Sequence, residues 1–165
     1  ELFQAYPSLR RLSGGEWEGR MRYAGGESME PAPFVLSGTM SCSLDGPRLR
    51  LNSTVVLPSG KRREVIMSGR VPDEGRGALR LEPEGGPEAG PIDIILSDQG
   101  GLDGDAQGTL LVREVRRDSG KVVMATSMTF LGDDSMVQIG HELSEQGGAP
   151  EGVQLWHMTR RRAGT

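Results

Sequence analysis

The chain has 165 residues, enough for one domain with a sizeable core, and its Gly 25, Pro 10 and 35% apolar fraction suit a turn-rich all-β protein. A formal net charge of -4 with no broad basic face argues against a nucleic-acid partner, and the single Cys42 excludes an internal disulfide framework. No run approaches the roughly 20 apolar residues of a membrane helix, so no transmembrane segment is expected. The first residue is Glu1, so an upstream segment is expected to have been removed or left out, and no targeting peptide is visible.

Residues 1–12 predict a turn or two of helix, interrupted at Pro7, with Leu2, Phe3, Leu9 and Leu12 available to dock it. From Trp17 onward the period is two, the strand signature. Trp17, Gly19, Met21 and Tyr23 share one face of the first strand, and Glu18, Arg20 and Arg22 the other. After a loop at 25–33, Phe34, Leu36, Gly38, Met40 and Cys42 alternate with Val35, Ser37, Thr39 and Ser41. Asp45-Gly46 then predicts a tight turn into a strand carrying Leu49, Leu51 and Val55.

Further strands are predicted at Val65–Val71, Ala78–Glu82, Ile92–Leu96, Leu110–Val115, Val122–Phe130, Val137–Leu143 and Val153–Met158. Gly-, Pro- and Asp-rich loops separate them. The result is about ten strands at the 8–12-residue spacing of a sandwich or barrel. Sequential hairpins without a long crossover favour an up-and-down antiparallel β-barrel.

Ser13-x-Gly15-x-Trp17, entering the first strand, resembles the opening of the S-type phycobiliprotein lyases, chromophore-handling members of the calycin superfamily. It is also similar to related lipocalin-like proteins of photosynthetic organisms. The resemblance implies a ten-stranded calycin barrel with a pocket at one end and Trp17 plugging the other. In the lyases basic residues follow the tryptophan, and Arg20 and Arg22 do so here in an offset register. The lyases' acidic and arginine pocket residues have no matched position in this chain. Lipocalins cover the tryptophan with a basic residue from the last strand, a role the resemblance extends to Arg160 or Arg162.

Asp103-Gly104-Asp105-Ala106-Gln107-Gly108, with Glu114 at the twelfth position, has the spacing of a calcium loop. Gln107 stands where Asp or Asn is usual, and the flanks read as strands, so a hairpin loop and no metal site are expected. His141 and His157 fall on adjacent predicted strands without the thiolate or carboxylate pattern of a zinc site. Ser135 is the nearest nucleophile in sequence, but its segment reads as a turn, and no catalytic residue is assigned. Gly19, Gly38, Gly69 and Gly140 interrupt strands, marking curvature or room for a ligand. Met21, Met40, Met67, Met124 and Met128 suit an adaptable apolar lining, and Cys42 reads as a packing residue.

These features predict an N-terminal docking segment at 1–12, a calycin-like barrel at 13–162 and a tail at 163–165. The candidate ligand-binding or barrel-end residues are Trp17, Met21, Tyr23, Trp156, Arg160 and Arg162. The expected role is a non-catalytic binding or accessory module. The resemblance adds a chloroplast setting and a larger pigment-protein assembly, such as a photosystem, as partner. No cofactor is fixed by the residues; a tetrapyrrole or another apolar ligand is what the resemblance implies. The rival roles are a bilin lyase and a carrier of a lipid or carotenoid-like molecule.

Overall fold

The computed structural model describes residues 6–25, 31–72, 77–99, 108–144 and 150–161. One short helix, α1 (Pro7–Leu12), precedes ten strands: β1 (Glu16–Gly25), β2 (Pro31–Asp45), β3 (Arg48–Val56), β4 (Arg62–Arg70), β5 (Leu79–Pro83), β6 (Ile92–Asp98), β7 (Thr109–Arg116), β8 (Val122–Phe130), β9 (Ser135–Leu143) and β10 (Pro150–Arg160). Each strand pairs antiparallel with the next, and β10 returns to β1, so the sheet closes on itself. The pairing is shortest between β4 and β5, which meet only at Met67 with Pro83 and Ser68 with Glu82. No described helix is long and apolar enough to cross a membrane.

Alternation sets which residues enter the barrel. The inward row of β1 is Trp17, Gly19, Met21 and Tyr23; its partners across β10 are Arg160, Met158, Trp156 and Gln154. Met136, Gln138, Gly140 and Glu142 continue the layers on β9, and Leu110, Val112 and Glu114 do so on β7. The Gln99–Gln107 loop predicted from sequence, with Asp103 and Asp105, falls largely outside the described residues, as does Arg162.

The helix forms one end of the core. Pro7 starts it instead of breaking it, because proline at the first helical position gives up an N–H that has no intrahelical partner there. Asp98 of β6 supplies the missing cap: its carboxylate accepts the Ser8 and Leu9 backbone N–H groups at 2.8 and 3.2 Å. Leu9 and Leu12 are buried with Trp17, Phe130, Leu110 and Met136. The Trp17 and Phe130 rings meet edge to face with centroids 5.7 Å apart, and the Trp17 indole N–H donates to the Leu12 carbonyl at 3.1 Å.

A second fixed point lies on β6. The Asp93 carboxylate is buried, and each of its oxygens accepts two N–H groups from a different arginine, Arg80 on one side and Arg117 on the other. Burial alone would raise its pKa, but the hydrogen bonds from Arg117 and Arg80 outweigh that and hold the carboxyl below its ordinary value. Cys42 lies in the core as a free thiol whose pKa burial pushes up to about 12.

Candidate ligand-binding site inside the barrel

The closed end is sealed. Arg160 lies 4.8 Å above the Trp17 ring and donates to the Gly14 and Arg11 carbonyls, 2.8 Å each. Gly14 has no side chain where the Arg160 guanidinium packs, since a Cβ there would collide with it. Trp17, at 0% exposure, therefore belongs to the plug and not to an open pocket.

Above the plug the interior opens into a cavity of about 190 Å³. Met40, Leu51, Ile94, Val112, Met128 and Met158 give it apolar walls, and the Trp156 indole forms one side. Trp156 fits because Gly38, opposite, lacks a side chain: a Cβ there would sit 3.0 Å from the indole ring. Gly140 makes similar room for the Thr126 hydroxyl at 3.0 Å. These two strand glycines shape the cavity wall.

Polar groups converge toward the far end. Glu142 accepts a hydrogen bond from the Tyr23 hydroxyl at 3.0 Å and another from the Gln154 amide at 3.0 Å. The hydrogen bond to Glu142 and partial burial raise the Tyr23 pKa. The Trp156 N–H points to the Gln154 carbonyl oxygen at 3.4 Å, and the buried Gln138 amide donates to the Met158 sulfur at 3.0 Å. Glu114 lines the same cavity from β7, half-buried, and no described hydrogen bond or ion pair ends on its carboxylate. Burial raises its pKa, Arg63 opposes the rise and Glu142 adds to it.

Of the six residues singled out from sequence, Trp156 lines the cavity and Tyr23 reaches its polar end. Met21 is buried opposite Trp156 in the ladder, and Trp17 and Arg160 close the base. Sequence reasoning missed Glu114, Gln138, Glu142 and Gln154. The available signal was position: Glu114 shares its strand face with Leu110 and Val112, both buried.

The outer wall carries a larger hollow of about 530 Å³, between Arg20, Arg62 and His157. Ser135 begins β9 rather than a turn, and its hydroxyl lies 3.3 Å from the His157 ring nitrogen. No described carboxylate hydrogen-bonds that ring, so the pair lacks the group that orients a hydrolytic histidine. His141 stands opposite Val153 and His157 opposite Val137, so the two imidazoles are not paired across the ladder. No group of three metal-ligating side chains occurs among the described residues.

Closed ten-stranded antiparallel topology, a plugged base and an internal cavity together define a calycin-like barrel. Solved structures share it, and two of them superpose over nearly the whole chain. Rv2717c from M. tuberculosis superposes with a TM-score of 0.65 at 18% identity, covering 98% of each chain. The S-type phycobiliprotein lyase CPES from Guillardia theta gives 0.62 at 12% identity, covering 96% of this chain and 93% of its own. At such identities the likeness is one of fold. No protein-family model matches the chain, and no curated protein matches its sequence.

Proposed function

We propose that this protein is a non-catalytic binding barrel that takes a small, largely apolar molecule into the cavity beside Trp156. The observation that carries this reading is the 190 Å³ interior space with its methionine and indole walls. Drug-sized ligands occupy pockets of roughly 300–1,000 Å³, so a compact ligand fits better than a tetrapyrrole or carotenoid. The same volume weighs against the bilin-lyase reading, although Glu114 does supply an internal carboxylate. The test is titration with 3-phenylpropanol, read by calorimetry and by Trp156 fluorescence. Saturable binding that Thr126→Phe abolishes, with the fold intact by circular dichroism, supports the reading. Absence of binding of this alcohol and of its amine and carboxylate analogues to the parent protein overturns it.

A second role, as an accessory subunit, has its own support. Leu111, Ile139 and Leu155 are exposed, and the strand register places them in one row across β7–β10 with Ser127 between the first two. An apolar row on an outer wall suits contact with a larger assembly. The chloroplast and pigment-protein setting comes from the resemblance at residues 13–17. Ile139→Glu with Leu155→Glu should release the protein from any assembly it co-purifies with, while leaving 3-phenylpropanol binding unchanged.

A further inference from the structure

The polar groups around the cavity are arranged unequally. The Gln154 amide and the Tyr23 hydroxyl donate to Glu142, the Trp156 N–H to the Gln154 side-chain oxygen, and the Gln138 amide to a sulfur. The Ser53 and Thr126 hydroxyls also line the cavity, and the charged group left there without a described partner is the Glu114 carboxylate. Glu114 sits between Ile94 and Met124 in the ladder, in largely apolar surroundings, with its carboxylate unpaired. Glu142 shows that this barrel can satisfy a carboxylate with its own donors; at Glu114 it does not.

Charge points the same way. Arg63 lies on the cavity-facing row of β4, opposite Val55, exposed at the rim. It acts on Glu114 electrostatically but forms no described ion pair with it. Among the described residues, Glu114 feels one guanidinium, Arg63, and one further carboxylate, Glu142, so no surplus of positive charge surrounds it. The indole face of Trp156 and the sulfurs of Met124 and Met128 add polarisable surface that favours a cation.

We propose that the cavity's ligand is a small organic cation, a protonated amine on a compact apolar body, whose N–H groups fill the open acceptors of Glu114. This rests on the binding-barrel reading and adds the chemical class of the ligand. An ammonium brings up to three donors and a positive charge to the Glu114 carboxylate, which has no described partner supplying either. A carboxylate ligand would meet Glu114 and Glu142 as like charges.

The experiment compares three probes with one body: 3-phenylpropylamine, 3-phenylpropanol and 3-phenylpropanoate, by calorimetry at neutral pH on the parent protein and Glu114→Gln. The amine should bind about tenfold or more tighter than the alcohol, and the carboxylate weakest. Glu114→Gln should bring amine and alcohol within about threefold of each other while alcohol affinity stays within about twofold of the parent's. Glu142→Gln, as a second variant, should retain most of the amine preference. Equal binding of amine and alcohol by the parent, or a preference that survives Glu114→Gln, overturns the ligand class and leaves the barrel reading standing. Failure of all three probes to bind overturns both.

Discussion

Arg160 and Trp17 are stacked 4.8 Å apart, and from that position the guanidinium also holds the carbonyls of Arg11 and Gly14. One side chain thus joins the last strand, the first-strand indole and the C-terminal end of the helix. Trp17→Ala should lower stability by roughly 3–5 kcal/mol, the range for emptying a buried aromatic site. Arg160→Met, which keeps the aliphatic stem, should cost roughly 1–3 kcal/mol from lost cation–π and charged hydrogen bonds. Urea denaturation measures both. A neutral Arg160→Met would show that apolar packing alone seals the barrel.

The helix depends on a residue about ninety positions away. Asp98 accepts the Ser8 and Leu9 N–H groups, which no intrahelical carbonyl can reach. Asp98→Ala should destabilise by about 1–2 kcal/mol, as loss of an N-cap does. Residues 1–12 should then be cut by protease much faster than in the parent. Because Leu9 and Leu12 are buried with Trp17, deleting the whole segment should lower the thermal midpoint far more than the point substitution. Equal effects would mean that the helix adds only its cap.

Asp93 makes stability depend on acid. Its folded pKa lies below the unfolded value of about 3.9, so its contribution is present above that pH and is lost as pH falls through the folded value. Asp93→Asn should cost roughly 2–4 kcal/mol at neutral pH, the partial exposure of Arg80 and Arg117 keeping it below the upper end for a buried pair. Stability of the variant should fall less steeply than the parent's below pH 4. Matching acid curves for the two proteins would place the pH dependence elsewhere.

The barrel was legible because its rows alternate over most of each strand: Trp17, Gly19, Met21 and Tyr23 read inward from sequence and lie inward in the fold. The Asp45-Gly46 turn was legible to within a residue, whereas the turn read at Asp133–Met136 ends before Ser135, where β9 begins. Asp45 pairs with Arg48, so Gly46 and Pro47 form the loop, with Gly46 at φ 56°. The site was harder to see for two reasons. A charged residue in a strand is assigned to the outer face by default, and in sequence Glu114 reads only as the twelfth position of a calcium-like spacing. The proximity of Arg63 and Glu114 arises only when β4 and β7 curve around one interior. Hairpin-by-hairpin reading does not contain that proximity.

The calcium-like spacing remains testable. Glu114, which would complete such a ligand set, faces the barrel cavity from β7. Chelation by EDTA should therefore leave the thermal midpoint unchanged, and added calcium should not raise it. A saturable calcium-dependent rise that disappears in Asp103→Asn with Asp105→Asn would assign the 103–108 segment a metal.

Glu114 should be a site where stability is given up for binding. Its folded pKa is raised, chiefly by burial, so the protonated form suits the folded barrel better than the ionised one. Its stabilising contribution is complete below the unfolded value of about 4.3 and is lost as pH rises through the folded value. Ionisation with rising pH therefore works against the folded barrel, and Glu114→Gln should gain in melting temperature over the parent as pH rises. That advantage should shrink as pH falls and the parent's side chain becomes neutral like the glutamine. Arg63→Gln removes the charge that opposes the pKa rise, so adding Glu114→Gln to it should stabilise by more than in the parent background. A Glu114→Gln protein that is less stable at pH 8 would mean that the carboxylate holds the barrel together. Its unfilled acceptors would then give no reason to expect a cation.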